Sequence, residues 1–221
     1  MPTATLVSNA PAGTDLRLLT FDHVPDGYTV PGQFVTAAVG DGKPAFFAIA
    51  SSPGQPVQFL IKRSGEMAER CCSMKSGEPI ELSDVMGKGF PMAATEGREL
   101  TILVNGSGIS AARPVIQAEL AGGLKRAVNL IYGVMTPGHR AFLADLEAWA
   151  NAGVSVHTVI DPAGSPDWTG PTGYVQDWAK AHGLIRADAA VVLVGLPIML
   201  DLAKAMCADA GMPDDCVITN F

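Results

Sequence analysis

The spacing of apolar positions along these 221 residues changes character near residue 95. Before it, short runs rich in β-branched and aromatic residues alternate with Gly, Pro and Asp, at residues 3–8, 15–21, 34–39, 45–51, 57–62 and 79–82. Closely spaced runs of this kind predict an antiparallel sheet closed as a small barrel. After it, apolar strands at 100–104, 128–132, 154–160, 189–194 and 217–220 alternate with helical patterns at 109–121, 140–150, 175–182 and 198–210. That cadence predicts a parallel sheet with helices on both faces. In the second helix Phe142, Leu143, Leu146, Trp149 and Ala150 fall on one face, and Asp145 and Glu147 outside it, which predicts a core-facing helix. The glycine-rich stretch from Met86 to Pro91, followed by polar Thr95-Glu96-Gly97-Arg98, connects the halves, giving domains at 1–95 and 96–221.

Composition narrows the class. Apolar residues make up 48% of the chain and charged ones 17%, as in a folded globular protein. A net charge of −7 without a basic stripe argues against nucleic acid or an anionic membrane surface as the main partner. The longest apolar cluster, 189–200, is broken by Gly195 and Pro197 and falls short of the roughly 20 residues that span a bilayer, so a soluble protein is expected. The start, Met1-Pro2-Thr3-Ala4-Thr5-Leu6, has no basic and apolar regions of a secretory signal. The expected location is the cytoplasm, or the plastid stroma where a transit peptide has been removed. Cys71, Cys72, Cys207 and Cys216 form no Cys-x-x-Cys pair, so they read as small buried apolar residues in a reducing compartment. His23, His139, His157 and His182 are scattered, and no metal site is expected.

Chemistry enters at Val104-Asn105-Gly106-Ser107-Gly108-Ile109-Ser110-Ala111, where a glycine pair follows an apolar strand and opens a helix. Read as Gly-x-Gly-x-x-Ala it is a form of the dinucleotide fingerprint. Glycines let the backbone approach a phosphate, and the helix start aims unpaired N–H groups and its positive dipole end at an anion. A helix can also begin after a glycine turn for purely structural reasons, so the turn alone decides little.

Other segments supply the context. Pro31-Gly32-Gln33-Phe34-Val35, Phe46-Phe47-Ala48-Ile49-Ala50-Ser51-Ser52-Pro53, Gly65-Glu66-Met67-Ala68, Gly106-Ser107-Gly108-Ile109, Trp168-Thr169-Gly170-Pro171-Thr172-Gly173-Tyr174-Val175 and Val194-Gly195-Leu196-Pro197-Ile198-Met199 follow one another in that order. Together with the terminal Phe221 they resemble the ferredoxin–NADP reductase family over nearly the whole chain. The resemblance implies an FAD-binding barrel followed by an NAD(P)-binding α/β domain. It also implies a flavin site drawing on Phe46, Phe47, Ala48, Ile49, Ser51, Lys62, Gly65, Met67 and Ala68. The pyridine nucleotide would meet Gly106, Ser107, Gly108, Ile109, Gly133, Gly195, Leu196, Pro197 and Met199, and Phe221 would cover the flavin ring until nicotinamide displaces it.

The chain departs from the family on the flavin strand. Where relatives carry Arg-x-Tyr-Ser it has Ala45, Phe47 and Ala48, so stacking can pass to Phe47 while a charge and a hydrogen bond are lost. Lys62 or Arg63 can replace the cation, but Glu66 at the same helix start opposes them. Val194 stands where a cysteine is common, and Ala111 where a proline is usual. The implied activity is transfer of electrons between NAD(P)H and a one-electron acceptor through FAD, with an electron-carrier protein or a larger redox complex as partner. The alternative is a reductase-like nucleotide-binding or scaffold subunit with little redox turnover. No acidic residue marks NAD in the segment 132–140, and Arg140 or His139 reads equally as a contact to the extra phosphate of NADP or as solvated surface, so the coenzyme is written NAD(P).

Overall fold

The computed structural model describes residues 2–220. The first part is a six-stranded antiparallel sheet built from β1 (Thr3–Gly13), β2 (Leu16–Phe21), β3 (Phe34–Ala38), β4 (Ala45–Ala48), β5 (Gln58–Lys62) and β6 (Pro79–Leu82), with one short helix, α1 (Glu66–Ser73). Strand order is β4-β3-β6-β1-β2-β5, so β4 and β5 are the two free edges. The sheet curls until those edges meet: the Phe47 and Phe59 rings lie 5.5 Å apart, and just beyond β4 the Ala50 N–H donates to the Gln58 carbonyl at 2.8 Å. Ala4, Leu6, Leu19, Phe21, Val35, Ile49, Val57, Phe59, Ile80 and Leu82 fill the interior. β1 is longer than its apolar run suggests because it bulges between Leu6 and Ser8 and pairs onward with β2. β4 is shorter, since Ile49 and Ala50 are buried beyond its paired residues.

The second part is a five-stranded parallel sheet of β7 (Leu100–Asn105), β8 (Val128–Val134), β9 (Ser155–Ile160), β10 (Ala190–Val194) and β11 (Val217–Ile218). Its order is β11-β10-β7-β8-β9. Four helices accompany it, α2 (Ile109–Ala121), α3 (Leu143–Asn151), α4 (Val175–Ala181) and α5 (Pro197–Asp209). Strands β7, β8 and β10 are buried on both faces, which is why they read as unbroken apolar runs. Leu16, Leu60 and Phe90 of the first part join this second core, so the two parts share packed side chains.

The helix expected over 140–150 begins only at Leu143, because Phe142 takes a left-handed conformation (φ 56°) that a helix cannot contain. Leu146 and Trp149 are buried as expected, whereas Leu143 is exposed. The four cysteines are free and buried. Burial pushes the Cys71 thiol up to about 12 and Cys207 to about 11, which leaves both unreactive. Among the described residues no helix is long and apolar enough to cross a membrane, and no three His, Cys, Asp or Glu side chains cluster as metal ligands.

Candidate functional site

The chain enters the parallel sheet at β7, moves outward through β8 and β9, then crosses back to β10 beside β7. The crevice at the carboxyl ends of β7 and β10 is therefore a topological switch point, where open α/β sheets bind ligands. Gly106–Gly108 forms a single 3-10 turn after β7 and feeds directly into α2. Gly106 holds φ 53° and faces open space, while Gly108 lies against Val194 at the end of β10. No acidic side chain occupies the first turn of α2 and no side chain caps it, so no carboxylate competes with an anion there, although the Ile109 N–H already bonds back into the Gly106–Gly108 turn.

The matching turn after β10 is fixed by a residue that sequence reasoning passed over. The Asn105 Oδ1 accepts the Leu196 N–H at 3.2 Å, and its amide fills the space that a Cβ at Gly195 would need. One side chain thus ties the two glycine turns together and explains why position 195 takes glycine. Leu196 is 62% exposed at the mouth, whereas Ile109 and Met199 are buried and set the turns from behind. Gly133, at the end of β8, packs against Val175 of α4. Beyond it, the buried Tyr132 hydroxyl accepts the Ala141 N–H at 3.2 Å, and burial pushes its pKa to about 12, so it remains a neutral strut.

On the barrel side, strand pairing decides which aromatic is presented. Phe47 lies opposite Val35 and Phe46 opposite Thr36, and directly paired residues share a face. Phe47 therefore turns inward with buried Val35 and closes the barrel against Phe59. Phe46 stands on the outer face, 72% exposed, with its ring edge-on to Phe34 at 5.7 Å. Phe46 rather than Phe47 therefore presents its ring on the outer face, because the two free sheet edges use Phe47 to meet. Ala48 lies on the outer side and packs against the parallel-sheet core. Ile49, Ser51 and Met67 are buried. The Ser51 hydroxyl already accepts the Gln58 N–H at 3.2 Å, and the Met67 sulfur accepts the Val39 N–H at 3.4 Å. Ile49 and Met67 can offer a ligand backbone groups only, and the Ser51 hydroxyl keeps its O–H to donate.

Helix α1 starts at Gly65 (φ 85°), and its first helical bond runs from the Glu69 N–H to the Gly65 carbonyl. The earlier N–H groups are left over, those of Met67 and Ala68 among them. The charge conflict foreseen here is settled by pairing. Glu66 accepts from Arg70 at 3.0 Å, Arg70 also donates to Asp41 at 2.8 Å, and Glu69 accepts from Arg63 at 2.6 Å. Arg70 holds the Asp41 carboxyl below its ordinary range. Lys62 makes no ion pair among the described residues and is exposed.

Arg113 joins the two parts. From α2 its Nη1 donates to the Ala50 carbonyl and the Gln58 Oε1, both at 2.9 Å, and its Nε donates to Asp145 Oδ2 at 2.6 Å. Its guanidinium lies 4.7 Å over the Phe142 ring, which gives the left-handed Phe142 a purpose. Ser52 Oγ, 2.6 Å from Gln117 Oε1, adds a second bridge. A lone charge inside the apolar run of α2 was the sequence signal for Arg113. Asn220, after β11, donates from Nδ2 to the Gly32 carbonyl at 3.1 Å and so ties the tail to the barrel. Phe221 lies outside the described residues.

Comparison with known proteins agrees with this geometry. Residues 102–205 match the family model described as the oxidoreductase NAD-binding domain. A fruit protein from Actinidia deliciosa, pKIWI502, is 28% identical over 87% of this chain and 66% of its own length. The structure of a ferredoxin reductase in carbazole 1,9a-dioxygenase superposes with a TM-score of 0.85 at 24% identity, covering 99% of this chain and 68% of that one. A ferredoxin NADP+ reductase from Neisseria gonorrhoeae with bound FAD and NADP gives 0.82 at 18%, covering 95% and 91%. The chain has a ferredoxin reductase-like fold, an antiparallel barrel-like part followed by a parallel-sheet part within which the NAD-binding family model matches. It spans between 40% and 66% of the length of the first curated relatives it matches.

Proposed function

We propose that this chain is a soluble flavin-dependent oxidoreductase that passes electrons between NAD(P)H and a one-electron acceptor, with FAD on the barrel (residues 1–95) and the pyridine nucleotide on the parallel-sheet part (residues 96–221). The observation that carries the reading is the pair of glycine turns locked by Asn105 at the switch point of the parallel sheet, facing a barrel whose Ala48 packs on that sheet's core and whose Phe46, on the same strand face, is exposed. The residues present suit the flavin: Phe46 supplies a planar apolar face, Ala48 leaves room beside it, and Lys62 with the first N–H groups of α1 suits a pyrophosphate. Flavin, when bound, supplies the capacity to accept a hydride and release electrons singly.

The protein's own share is binding, orientation and exclusion of water. The N–H groups opening α2 and the Gly106 turn hold the dinucleotide phosphates, while Gly195 and Leu196 shape the slot for its nicotinamide end. Arg113 fixes the angle between the two parts, so that two planar rings meet at contact distance rather than through solvent. Phe221 is the proposed ring cover. Ala45 and Ala48 offer no side-chain charge or hydrogen bond to the cofactor, so retention rests on backbone and stacking, and ready exchange of flavin with free pools follows. An oxygenase-type or multi-subunit redox partner is proposed, in keeping with the dioxygenase system of the similar reductase structure.

The test is oxidation of NADH and NADPH by ferricyanide with and without added FAD. Turnover that requires FAD supports the reading; absence of both flavin binding and turnover overturns it in favour of a redox-silent nucleotide-binding subunit.

A further inference from the structure

We propose that the side-chain oxygen of Asn220 is a pre-set acceptor for the N–H of a ring-borne amide or imide on the bound cofactors, either the flavin imide or the nicotinamide carboxamide. The inference rests on the functional reading above and adds a residue that the resemblance does not assign. Asn220 is 8% exposed, and its Oδ1 is buried with no hydrogen-bond partner among the described residues. Its orientation is not free. Nδ2 donates to the Gly32 carbonyl at 3.1 Å, and rotating the amide by half a turn would set two oxygens against each other.

The Gly32 end of this bond is rigid as well. A Cβ at position 32 would run into the Phe90 ring, and Phe90 is itself packed in the core. The next residue, Gln33, accepts the Thr29 and Val30 N–H groups and donates to the Gly87 carbonyl, so the loop has no slack. The acceptor therefore stands on a braced frame that joins the end of β11 to the segment leading into β3, on the seam between the flavin-side barrel and the nucleotide-side sheet. A buried polar oxygen left without a donor is costly to a fold and marks a place where a donor arrives. Of the three such atoms, Thr101 Oγ1 lies inside β7 within the sheet and Gln176 Oε1 on α4, whereas Asn220 alone is tied across the seam next to the chain's terminal residue.

Two pairs of probes separate the sources, because each pair differs by one donor group. FAD is compared with its 3-methyl analogue, which has no imide N–H, and NADH with reduced 3-acetylpyridine adenine dinucleotide, which has a methyl ketone in place of the carboxamide. Wild-type protein is expected to bind the donor-bearing member of one pair about threefold to tenfold more tightly, the worth of one hydrogen bond. Asn220→Ala is expected to abolish that preference while leaving affinity for ADP-ribose, which carries neither donor, unchanged. Loss of preference in the flavin pair assigns the imide, and loss in the nicotinamide pair assigns the carboxamide. Equal preferences in wild type and N220A for both pairs overturn the proposal, as does a wild type with no preference in either. Failure of wild type to bind flavin and nucleotide at all overturns the functional reading itself, and is told apart because no pair then gives a signal. Where N220A proves unstable, Asn220→Leu, which keeps the side-chain volume and has no acceptor, takes its place in the same comparison with the same deciding outcomes.

Discussion

The starts of α1, on the barrel, and α2, on the parallel sheet, are built on different principles. Helix α2 begins after a glycine turn with no acidic residue in its first turn, braced from behind by Asn105 and Arg113. Helix α1 begins with Glu66 and Glu69 in its first turn, offset only by exposed ion pairs to Arg63 and Arg70, the latter shared with Asp41. Exposed pairs contribute little and weaken with salt. Under the proposed function, the nucleotide side is thus preorganised by backbone and buried contacts, and the flavin side by stacking and a loose charge network. The chain should hold a dinucleotide in a fixed pose while gripping its flavin lightly.

The sharpest way to break this contrast is Arg113→Ala, which strips donors from Asp145, Gln58 and the Ala50 carbonyl at once. The partly buried pair sets the cost at about 2 kcal/mol, or a fall in Tm of roughly 4–8 °C, checked by thermal unfolding. NADH oxidation should fall with it, because the angle between the two parts is no longer fixed. Next, Asn105→Ala unties the turn at Leu196 and opens space beside Gly195. The expected result in steady-state kinetics is about a tenfold rise in KM for the pyridine nucleotide with flavin affinity unmoved. On the other side, Lys62→Ala should weaken FAD binding about threefold to tenfold at low salt, with the gap closing as ionic strength rises, as followed by flavin fluorescence. Were N105A and K62A to affect both ligands alike, the division between the two helix starts would not hold.

The smallest effect lies farthest from the interface. His157 of β9 packs at 4.4 Å on Trp178, which stacks at 3.7 Å on His182. Burial, and then the His182 charge, lower the His157 pKa below its ordinary 6.5. Folding favours its neutral form, so its contribution is complete above pH 6.5 and is lost as pH falls through the lower folded value. Acidification from pH 7.5 to 5 should therefore lower Tm slightly more in wild type than in His157→Gln.

Much of the architecture was legible because periodicity follows burial. The doubly buried strands β7, β8 and β10 read as apolar runs, and α2 begins where its glycine turn placed it. The faces of short edge strands were less legible. Register alone decides whether Phe46 or Phe47 points outward, and register is set by partners that no local pattern shows. The contacts of Asn105, Arg113 and Asn220 were hidden for a related reason, since their partners lie 91, 63 and 188 positions away along the chain. Phe142 was placed in a helix because an apolar residue at helical spacing carries no mark of a left-handed backbone.

The central claim is that a flavin and a pyridine nucleotide meet at the seam between barrel and sheet. Anaerobic addition of NADH or NADPH to the FAD-loaded protein tests it most directly, read as the visible flavin absorbance. The account predicts bleaching that goes to completion with one equivalent and recovers on adding a one-electron oxidant. A flavin band that persists in full with both nucleotides saturating would contradict it.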